Sequence, residues 1–173
     1  RRCRHAGSGR RSGSPARGNA APPPRHDAYS EERKFETAIN FYQQGLDIAQ
    51  ELENRNGEGY VLFKLGNAYL YLRQFSEAKK YYQQCLKIEQ ELDDHDNEAR
   101  TYHQLGIVAQ EMREYAQARE FYQQALAILI EYGDRYSQAS TYHQLGRVAQ
   151  EMREYAQAQE FYQQALAIYI EYE

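Results

Sequence analysis

The sequence contains little tryptophan, methionine or cysteine. Its 173 residues include no tryptophan, two methionines and two cysteines, Cys3 and Cys85. Two cysteines form neither a disulfide framework nor a set of metal ligands, so we expect a reducing, cytoplasmic location. The chain has no run of eighteen apolar residues, and no membrane-spanning helix is predicted. Because the first residue is Arg1 rather than methionine, we expect a piece or a processed product of a longer chain.

Proline is confined to one end of the chain. All four prolines and four of the eleven glycines lie in residues 1–29, which also carry seven arginines against one acid, Asp27. With almost nothing large and apolar to bury, this segment is predicted to be a disordered arm. It is either a contact for RNA or another acidic surface, or only a linker. The second interpretation is favoured, and nucleic-acid binding is not predicted, because the arm has no RGG repeat and no interleaved aromatic residues.

The rest of the sequence is strongly repetitive. FYQQGL at 41–46, YYQQCL at 81–86 and FYQQAL at 121–126 and 161–166 are each forty residues apart. Residues 101–128 and 141–168 differ at only two of twenty-eight positions, where Ile107 becomes Arg147 and Arg119 becomes Gln159. A period of this length indicates a solenoid. The predicted array covers residues 30–173, with a half repeat at 30–54 and full repeats at 57–94, 97–133 and 137–173.

Each repeat has the pattern of two helices. In residues 97–133, apolar and small residues recur at three- and four-residue steps on two successive segments. These residues are Tyr102, Leu105, Gly106, Ala109 and Met112 in the first helix, and Tyr115, Ala118, Tyr122, Ala125, Leu126 and Leu129 in the second. Gly133 is predicted to end the second helix in a left-handed conformation. One helix pair leaves an apolar face bare, so successive antiparallel pairs must stack, and the predicted class is an all-α solenoid.

This pattern resembles the tetratricopeptide repeat. The matching positions are Leu62, Leu65, Gly66, Tyr69, Ala78 and Tyr82, then Tyr102, Leu105, Gly106, Ala109, Ala118, Tyr122 and Ala125, then Tyr142, Leu145, Gly146, Ala149, Ala158, Tyr162 and Ala165, with Phe35, Ala38 and Tyr42 in the half repeat. The period is forty rather than thirty-four, the usual final proline is missing, and Gly45 and Cys85 replace the last alanine. The resemblance is to the forty-residue subclass of kinesin light chains, G-protein-regulator adaptors and bacterial signalling arrays. It implies a right-handed superhelix with a longer second helix in each repeat.

The resemblance also implies a concave groove, lined by the first helices, that binds an extended or helical peptide segment. Positions i, i+3, i+7 and i+10 form a continuous helical face that the core does not need. The predicted groove residues are Tyr60, Phe63, Asn67, Leu70 and Tyr71, then Arg100, His103, Ile107, Gln110 and Glu111, then Ser140, His143, Arg147, Gln150 and Glu151. On this interpretation the difference between Ile107 and Arg147 is either specialisation of the groove or drift at a tolerant position.

Some members of this family clamp a partner's terminal carboxylates with Lys and Asn or Arg side chains. Asn67 and Arg147 match that clamp, but Phe63, His103 and His143 stand where lysine is needed and Ile107 replaces Asn, so the clamp is broken. The predicted partner is instead a protein or peptide with an apolar part over Phe63, Leu70 and Tyr71. Its acidic part is expected near Arg147 and the two histidines.

No catalytic motif is present. The sequence has no nucleotide-binding glycine loop, no G-x-S-x-G and no H-E-x-x-H. His103 and His143 recur, but stacked helices lie ~8–10 Å apart, too far for both rings to bind one ion at ~2 Å each. Cys85 takes a small-residue core position and is interpreted as packing. We predict a non-enzymatic scaffold without cofactor or metal.

The alternative function is a self-associating structural array, or the sensor segment of a larger signalling protein. The last helix keeps Leu166, Ile168, Tyr169, Ile170 and Tyr172 with no polar capping helix behind it. An uncapped array exposes an apolar face. Further repeats, or copies packed end to end, are the two arrangements that would cover this face.

Overall fold

Every element in the part of the chain that the structure describes is a helix. The computed structural model describes residues 26–172, with side chains for residues 33–172. The seven helices are α1 His26–Glu51, α2 Arg55–Tyr71, α3 Phe75–Glu91, α4 His95–Glu111, α5 Tyr115–Glu131, α6 Arg135–Glu151 and α7 Tyr155–Glu171. Helix α1 begins at His26, four residues before the predicted boundary at residue 30. The rest of the predicted arm, residues 1–25, lies outside the described residues.

Consecutive helices pack against each other along the whole array. Helices α2 and α3, α4 and α5, and α6 and α7 form three hairpins, and α1 packs on α2 as the second helix of a half repeat. The all-α solenoid is therefore confirmed. Each helix from α2 to α7 has 17 residues, so the first and second helices of a repeat are equal in length. The forty-residue period consists of two equal helices and two short loops.

The loops repeat every twenty residues. After each of helices α1 to α6 one residue has a left-handed backbone, namely Glu53, Arg73, Asp93, Arg113, Gly133 and Arg153. At the end of α4 the Arg113 amide donates to the Gln110 carbonyl at 3.0 Å, and the Glu114 amide to the Ala109 carbonyl at 2.8 Å. This is the Schellman arrangement that satisfies the last carbonyls of a helix. The left-handed stop predicted at Gly133 is confirmed, with φ +76°.

The N-terminal caps distinguish the two kinds of loop. Before each first helix, a side-chain oxygen of Asn54, Asp94 or Asp134 accepts a hydrogen bond from the amide three residues later. Before each second helix, Gln74, Glu114 and Glu154 make no such bond. Capping side chains are thus present where one repeat passes to the next. Within a repeat, the turn is closed by backbone hydrogen bonds alone, such as those of Arg113 and Glu114.

The Leu-Gly pair of each repeat makes room for a tyrosine ring. A side-chain carbon placed on Gly106 would lie 2.5 Å from Cε1 of Tyr122, and one placed on Gly66 would lie 2.6 Å from Cε1 of Tyr82. Tyr82 and Tyr122 are fully buried between the two helices of their hairpins. The glycine therefore permits the close approach that buries a large aromatic side chain.

Neighbouring repeats are joined by side chains from their second helices. The Lys79 ammonium lies 2.9 Å from the Glu114 carboxylate of the next repeat. Forty residues later, Arg119 forms an ion pair with Glu154. Arg119 thus occupies a position that faces the following repeat, and Gln159 is its equivalent in α7.

Candidate binding groove

The first helices border two neighbouring depressions. The α2–α4 depression has a volume of about 150 Å³, and the α4–α6 depression about 670 Å³. They lie one repeat apart, since Phe63 lines the first and its equivalent His103 lines the second. Arg100 lines both. We call these two depressions together the first-helix groove.

The structure brings five of the predicted residues to this groove. They are Tyr60, Phe63, Arg100, His103 and Ser140. The remaining predicted residues do not line either depression: Asn67, Leu70, Tyr71, Ile107, Gln110, Glu111, His143, Arg147, Gln150 and Glu151. Arg147 lies close enough to the Tyr122 hydroxyl to affect the pKa of that group. Arg147 is therefore a neighbour of the groove rather than part of its lining.

Phe63 is a core residue. Its side chain is 6% exposed, and its ring meets Tyr82 edge-on with centroids 5.6 Å apart. The guanidinium carbon of Arg100 lies 4.1 Å from the centroid of the Phe63 ring, within cation–π distance. The apolar surface expected at Phe63 is therefore already covered. The exposed aromatic rings of this region are instead Tyr60 and Tyr71, and Tyr71 stacks on Phe35.

Three of the residues predicted to line the groove instead accept hydrogen bonds from tyrosine hydroxyls of the array. Asn67 accepts a hydrogen bond from the Tyr82 hydroxyl at 2.7 Å. Gln110 and Gln150 accept from Tyr122 at 3.2 Å and from Tyr162 at 3.1 Å. Burial raises the pKa of Tyr82 and of Tyr122. These amides give the phenol hydroxyls a hydrogen-bond partner, at buried Tyr82 and Tyr122 and at half-buried Tyr162.

His103 is held between two repeats. Its Nδ1 lies 3.2 Å from Thr141 Oγ1 in the next repeat, and its ring meets Tyr122 edge-on. Burial lowers the pKa of His103, so its imidazole is neutral at pH 7. His143 is exposed and lies beside the ring of Tyr162. The two histidines therefore have different environments, although their local sequences are the same.

The difference between Ile107 and Arg147 has a structural context. Ile107 is half-buried and packs on the cluster that contains Leu145 and Val148. Arg147 is exposed and donates a hydrogen bond to Gln144 at 3.3 Å. Like Arg119, Ile107 is at a position through which its repeat contacts the next. Both differences between the two near-identical repeats thus fall at such positions.

Arg100 and Arg147 form no ion pair among the side chains that the structure describes. Other arginines do: Arg135 contacts Glu171 at 2.7 Å, and Arg119 is paired with Glu154. Guanidinium groups without a carboxylate partner are suited to bind one from outside, often through two hydrogen bonds. Arg100 and Arg147 are therefore positive charges available at and beside the groove, whose lining also includes acidic side chains: Glu89, Asp94, Asp96 and Asp134.

Glu89 is not among the residues predicted to line the groove. This residue is 6% exposed and lines the α2–α4 depression. Its Oε1 accepts from the Thr101 hydroxyl at 3.0 Å and from the Cys85 thiol at 3.2 Å. Burial raises the pKa of Glu89 and of Cys85. The available signal was a glutamate at the position where the next repeat has Leu129.

The described residues contain no group of three or more histidine, cysteine and acidic side chains placed to hold a metal ion. None of the described helices is long and apolar enough to span a membrane.

The family model of the tetratricopeptide repeat matches residues 25–91, 61–131 and 97–171. The chain belongs to the tetratricopeptide repeat family. A comparison with curated protein sequences finds no match.

Solved structures of other tetratricopeptide repeat proteins share this fold. BtubC (BKLC) from P. vanneervenii is 25% identical with a TM-score of 0.74, over 82% of this chain and 58% of BtubC. A signal transduction ATPase with numerous domains and a tetratricopeptide repeat sensor, from Pyrococcus horikoshii, is 21% identical with a TM-score of 0.75, over 83% of this chain and 22% of that one. A Rap protein complexed with Competence and Sporulation Factor is 18% identical with a TM-score of 0.71, over 81% and 39%. The chain thus spans 58% or less of these three proteins, and the family assignment supports a protein-interaction scaffold in general.

Proposed function

We propose that this chain is a non-enzymatic scaffold whose first-helix groove binds an extended or helical segment of a partner protein. The Rap protein in complex with Competence and Sporulation Factor has the same fold and carries a bound partner. The cytoplasmic location expected from the two cysteines stays a prediction.

The position of Arg100 is the observation that carries this proposal. Its exposed side chain borders both depressions and has no described carboxylate partner. We expect an acidic group of the partner to bind Arg100 and Arg147, with a hydrogen bond from neutral His103. The apolar part of the partner is expected on Tyr60, Leu70 and Tyr71. Contact with Phe63 would first require Arg100 to move.

The test is capture of a partner by the full 173-residue chain, followed by binding measurements with charge-reversed variants. Arg100→Glu and Arg147→Glu are expected to weaken binding by at least tenfold, because each replaces an attraction by a repulsion. Arg113→Glu is the matched control, since Arg113 is an exposed arginine in a loop outside the groove. Equal affinities for all three variants would rule the groove out.

Residues 1–29 need their own control, because an Arg-rich arm binds acidic surfaces without specificity. A chain lacking residues 1–25 keeps all the described helices. Binding that is retained by this truncated chain and lost with Arg147→Glu supports the groove. Binding that disappears with the arm and falls steeply with salt points to an electrostatic contact of the arm instead.

A second candidate function is self-association through the ends of the array. In α7, Leu166 is 58% exposed and Ile170 is 62% exposed, with Tyr155, Tyr169 and Tyr172 nearby. Helix α1 and the turn that follows it expose Phe41, Ile48 and Leu52. End-to-end packing of copies would cover both apolar faces. Light scattering over a range of concentrations tests this, and the Leu166→Glu variant is expected to stay monomeric.

A sensor role within a larger signalling protein is the other arrangement of the same scaffold. The Pyrococcus horikoshii protein carries its tetratricopeptide repeats as a sensor. In such a protein the groove would still bind the partner segment, and the charge-reversal experiment applies unchanged.

A further inference from the structure

Helix α7 has nearly the sequence of α5, but no described repeat covers its outer side. The two helices differ at only two of their 17 positions. Tyr122 of α5 is fully buried and Leu126 is half-buried, whereas the equivalent Tyr162 of α7 is half-buried and Leu166 is exposed. A depression of about 490 Å³ lies along this side of α7. We use the name α7 end face for the surface formed by Tyr155, Ala158, Tyr162 and Leu166.

The equivalent face of α5 is covered by the first helix of the next repeat. Its residues pack in one cluster with Leu145 and Val148 of α6. Forty residues earlier, the same positions of α3 pack in one cluster with Leu105 and Val108 of α4. Both internal copies of the face therefore bind a first helix that presents a leucine and, three residues later, a valine.

The glutamate that ends each of these first helices also binds the preceding repeat. Glu111 pairs with Arg73 at 3.4 Å, and Glu151 accepts a hydrogen bond from the Tyr115 hydroxyl at 3.3 Å. The equivalent of Tyr115 at the end of the array is Tyr155, which is exposed and makes no hydrogen bond to a described residue. The α7 end face thus keeps a donor for a carboxylate at the end of a docked helix.

One contact of the internal interfaces has no counterpart on α7. Lys79 of α3 pairs with Glu114, and Arg119 of α5 pairs with Glu154. Each of these glutamates immediately precedes the second helix of the following repeat. The residue of α7 at this position is Gln159, which has no charge to offer a second helix. The contacts that α7 keeps are those to a first helix, so a single helix fits the face.

The 173 residues themselves contain no free segment of this kind. In a second folded copy the leucines of the pattern, Leu65, Leu105 and Leu145, are at most 1% exposed, because their helices are already packed. Residues 1–25 contain no leucine, isoleucine or valine. The occupant that fits the face therefore belongs to a different protein.

We propose that the α7 end face binds an amphipathic helix of a partner protein, with a leucine, a valine three residues later and a glutamate three residues after that. Residues three apart form one ridge along a helix. The leucine and valine pack on Tyr162 and Leu166, and the glutamate accepts a hydrogen bond from Tyr155. An apolar helix face docked on an apolar surface is a common form of recognition. This site is separate from the first-helix groove and does not rest on the proposed function.

The probe is a fluorescein-labelled peptide with the sequence of residues 135–152, which contains Leu145, Val148 and Glu151 at the required spacing. It is titrated with the full chain, and fluorescence anisotropy reports binding. We expect saturable binding that is at least tenfold tighter than that of a control peptide with Leu145→Asp and Val148→Asp. Equal binding of the two peptides, or no binding of either, would overturn the proposal.

Two variants of the chain locate the site. Leu166→Glu is expected to weaken binding of the peptide at least tenfold, whereas Leu52→Glu, at an exposed leucine after α1, changes it less than twofold. Circular dichroism checks that both variants keep their helices. Binding that survives Leu166→Glu would mean that the peptide replaces the chain's own α6 or binds elsewhere, and the site would be refuted.

Tyr155→Phe tests the carboxylate contact without changing the apolar surface. We expect it to weaken the peptide two- to fivefold, and to have no effect on a peptide with Glu151→Gln. An equal loss for both peptides would remove the hydrogen bond from the proposal.

The outcome is separable from those of the groove and of self-association. Arg100→Glu is expected to leave the peptide affinity unchanged, and a loss with Arg100→Glu but not with Leu166→Glu would place the peptide in the first-helix groove and overturn the site. Light scattering is repeated with the peptide present. A dimer that Leu166→Glu disrupts and the peptide does not would assign the α7 end face to a second copy, which also overturns the proposal.

Discussion

The ring of Tyr122 lies in the space that a side chain on Gly106 would need. A carbon added to Gly106 would come within 2.5 Å of Tyr122 Cε1, whereas real carbon–carbon contacts need about 3.5 Å. The same relation joins Gly66 to Tyr82 and Gly146 to Tyr162. The Leu-Gly pair is therefore a packing requirement that recurs with the period of the array.

We expect Gly106→Ala to lower the free energy of unfolding by ~1–3 kcal/mol, because the added carbon displaces a fully buried ring. Gly45→Ala is the matched control, since its added carbon would meet Val61 at an ordinary 3.7 Å. That variant is expected to gain about 0.5–1 kcal/mol from helix propensity. Urea unfolding followed by circular dichroism measures both. A neutral Gly106→Ala would show that Tyr122 moves aside without cost.

The left-handed residues predict a second pair of opposite effects. Arg153 has φ +62°, a conformation that is unfavourable for a residue with a side chain. Gly133 has φ +76°, and a carbon added to it would have nothing within 4 Å. Arg153→Gly is expected to stabilise the chain by about 1 kcal/mol, and Gly133→Ala to destabilise it by a similar amount. Thermal unfolding of the two variants is the measurement, and shifts of the same sign would contradict the explanation.

Glu89 is expected to make stability depend on pH. Burial raises its pKa in the folded state, so the folded chain holds this proton more tightly than the unfolded chain. Its charged form therefore destabilises the fold at pH values above the folded-state pKa, and the penalty disappears as the pH falls towards the unfolded value near ~4.3. Cys85, Asp94 and Arg100 are the titratable and charged groups that act on it.

Glu89→Leu removes this penalty. The variant also loses the acceptor of the Thr101 and Cys85 hydrogen bonds at every pH. We therefore expect a gain in stability over the parent chain that is largest at pH 7 and shrinks as the pH is lowered towards 4.5. Unfolding in denaturant at pH 7, 6 and 5 measures the gain. Glu120→Gln, at an exposed position of α5, is the control and is expected to show no such trend. A gain that grows on acidification would contradict the raised pKa.

The ion pair between Arg119 and Glu154 joins two repeats at the surface. A double-mutant cycle with Arg119→Gln and Glu154→Gln is expected to give a coupling energy of about 0.5 kcal/mol, reduced at 1 M salt. Arg119→Gln reproduces the residue found at position 159. Unfolding curves of the four chains give the coupling, and a value that does not respond to salt would indicate packing against Met152 instead.

Much of the groove could not be predicted from the sequence, because its residues are defined by contacts between repeats. Spacing predicted Tyr60, Arg100 and His103 as groove residues, and these three line the two depressions. It also offered Phe63 as a free surface, which is a core residue under Arg100. No local pattern distinguishes an exposed groove residue from a buried one such as Phe63. Whether an aromatic ring is exposed depends on which side chain of the next repeat lies over it.

The sequence by itself determined the helices, their order and their stacking. Periods of three to four residues mark the faces that must be buried, and the forty-residue repeat makes each interface a copy of the last. Only the tertiary structure decided which polar groups stay unsatisfied, as at Glu89 Oε2, and which arginines are left without a carboxylate, as at Arg100. Those outcomes depend on distances of a few ångströms between residues twelve to forty positions apart, which periodicity does not encode.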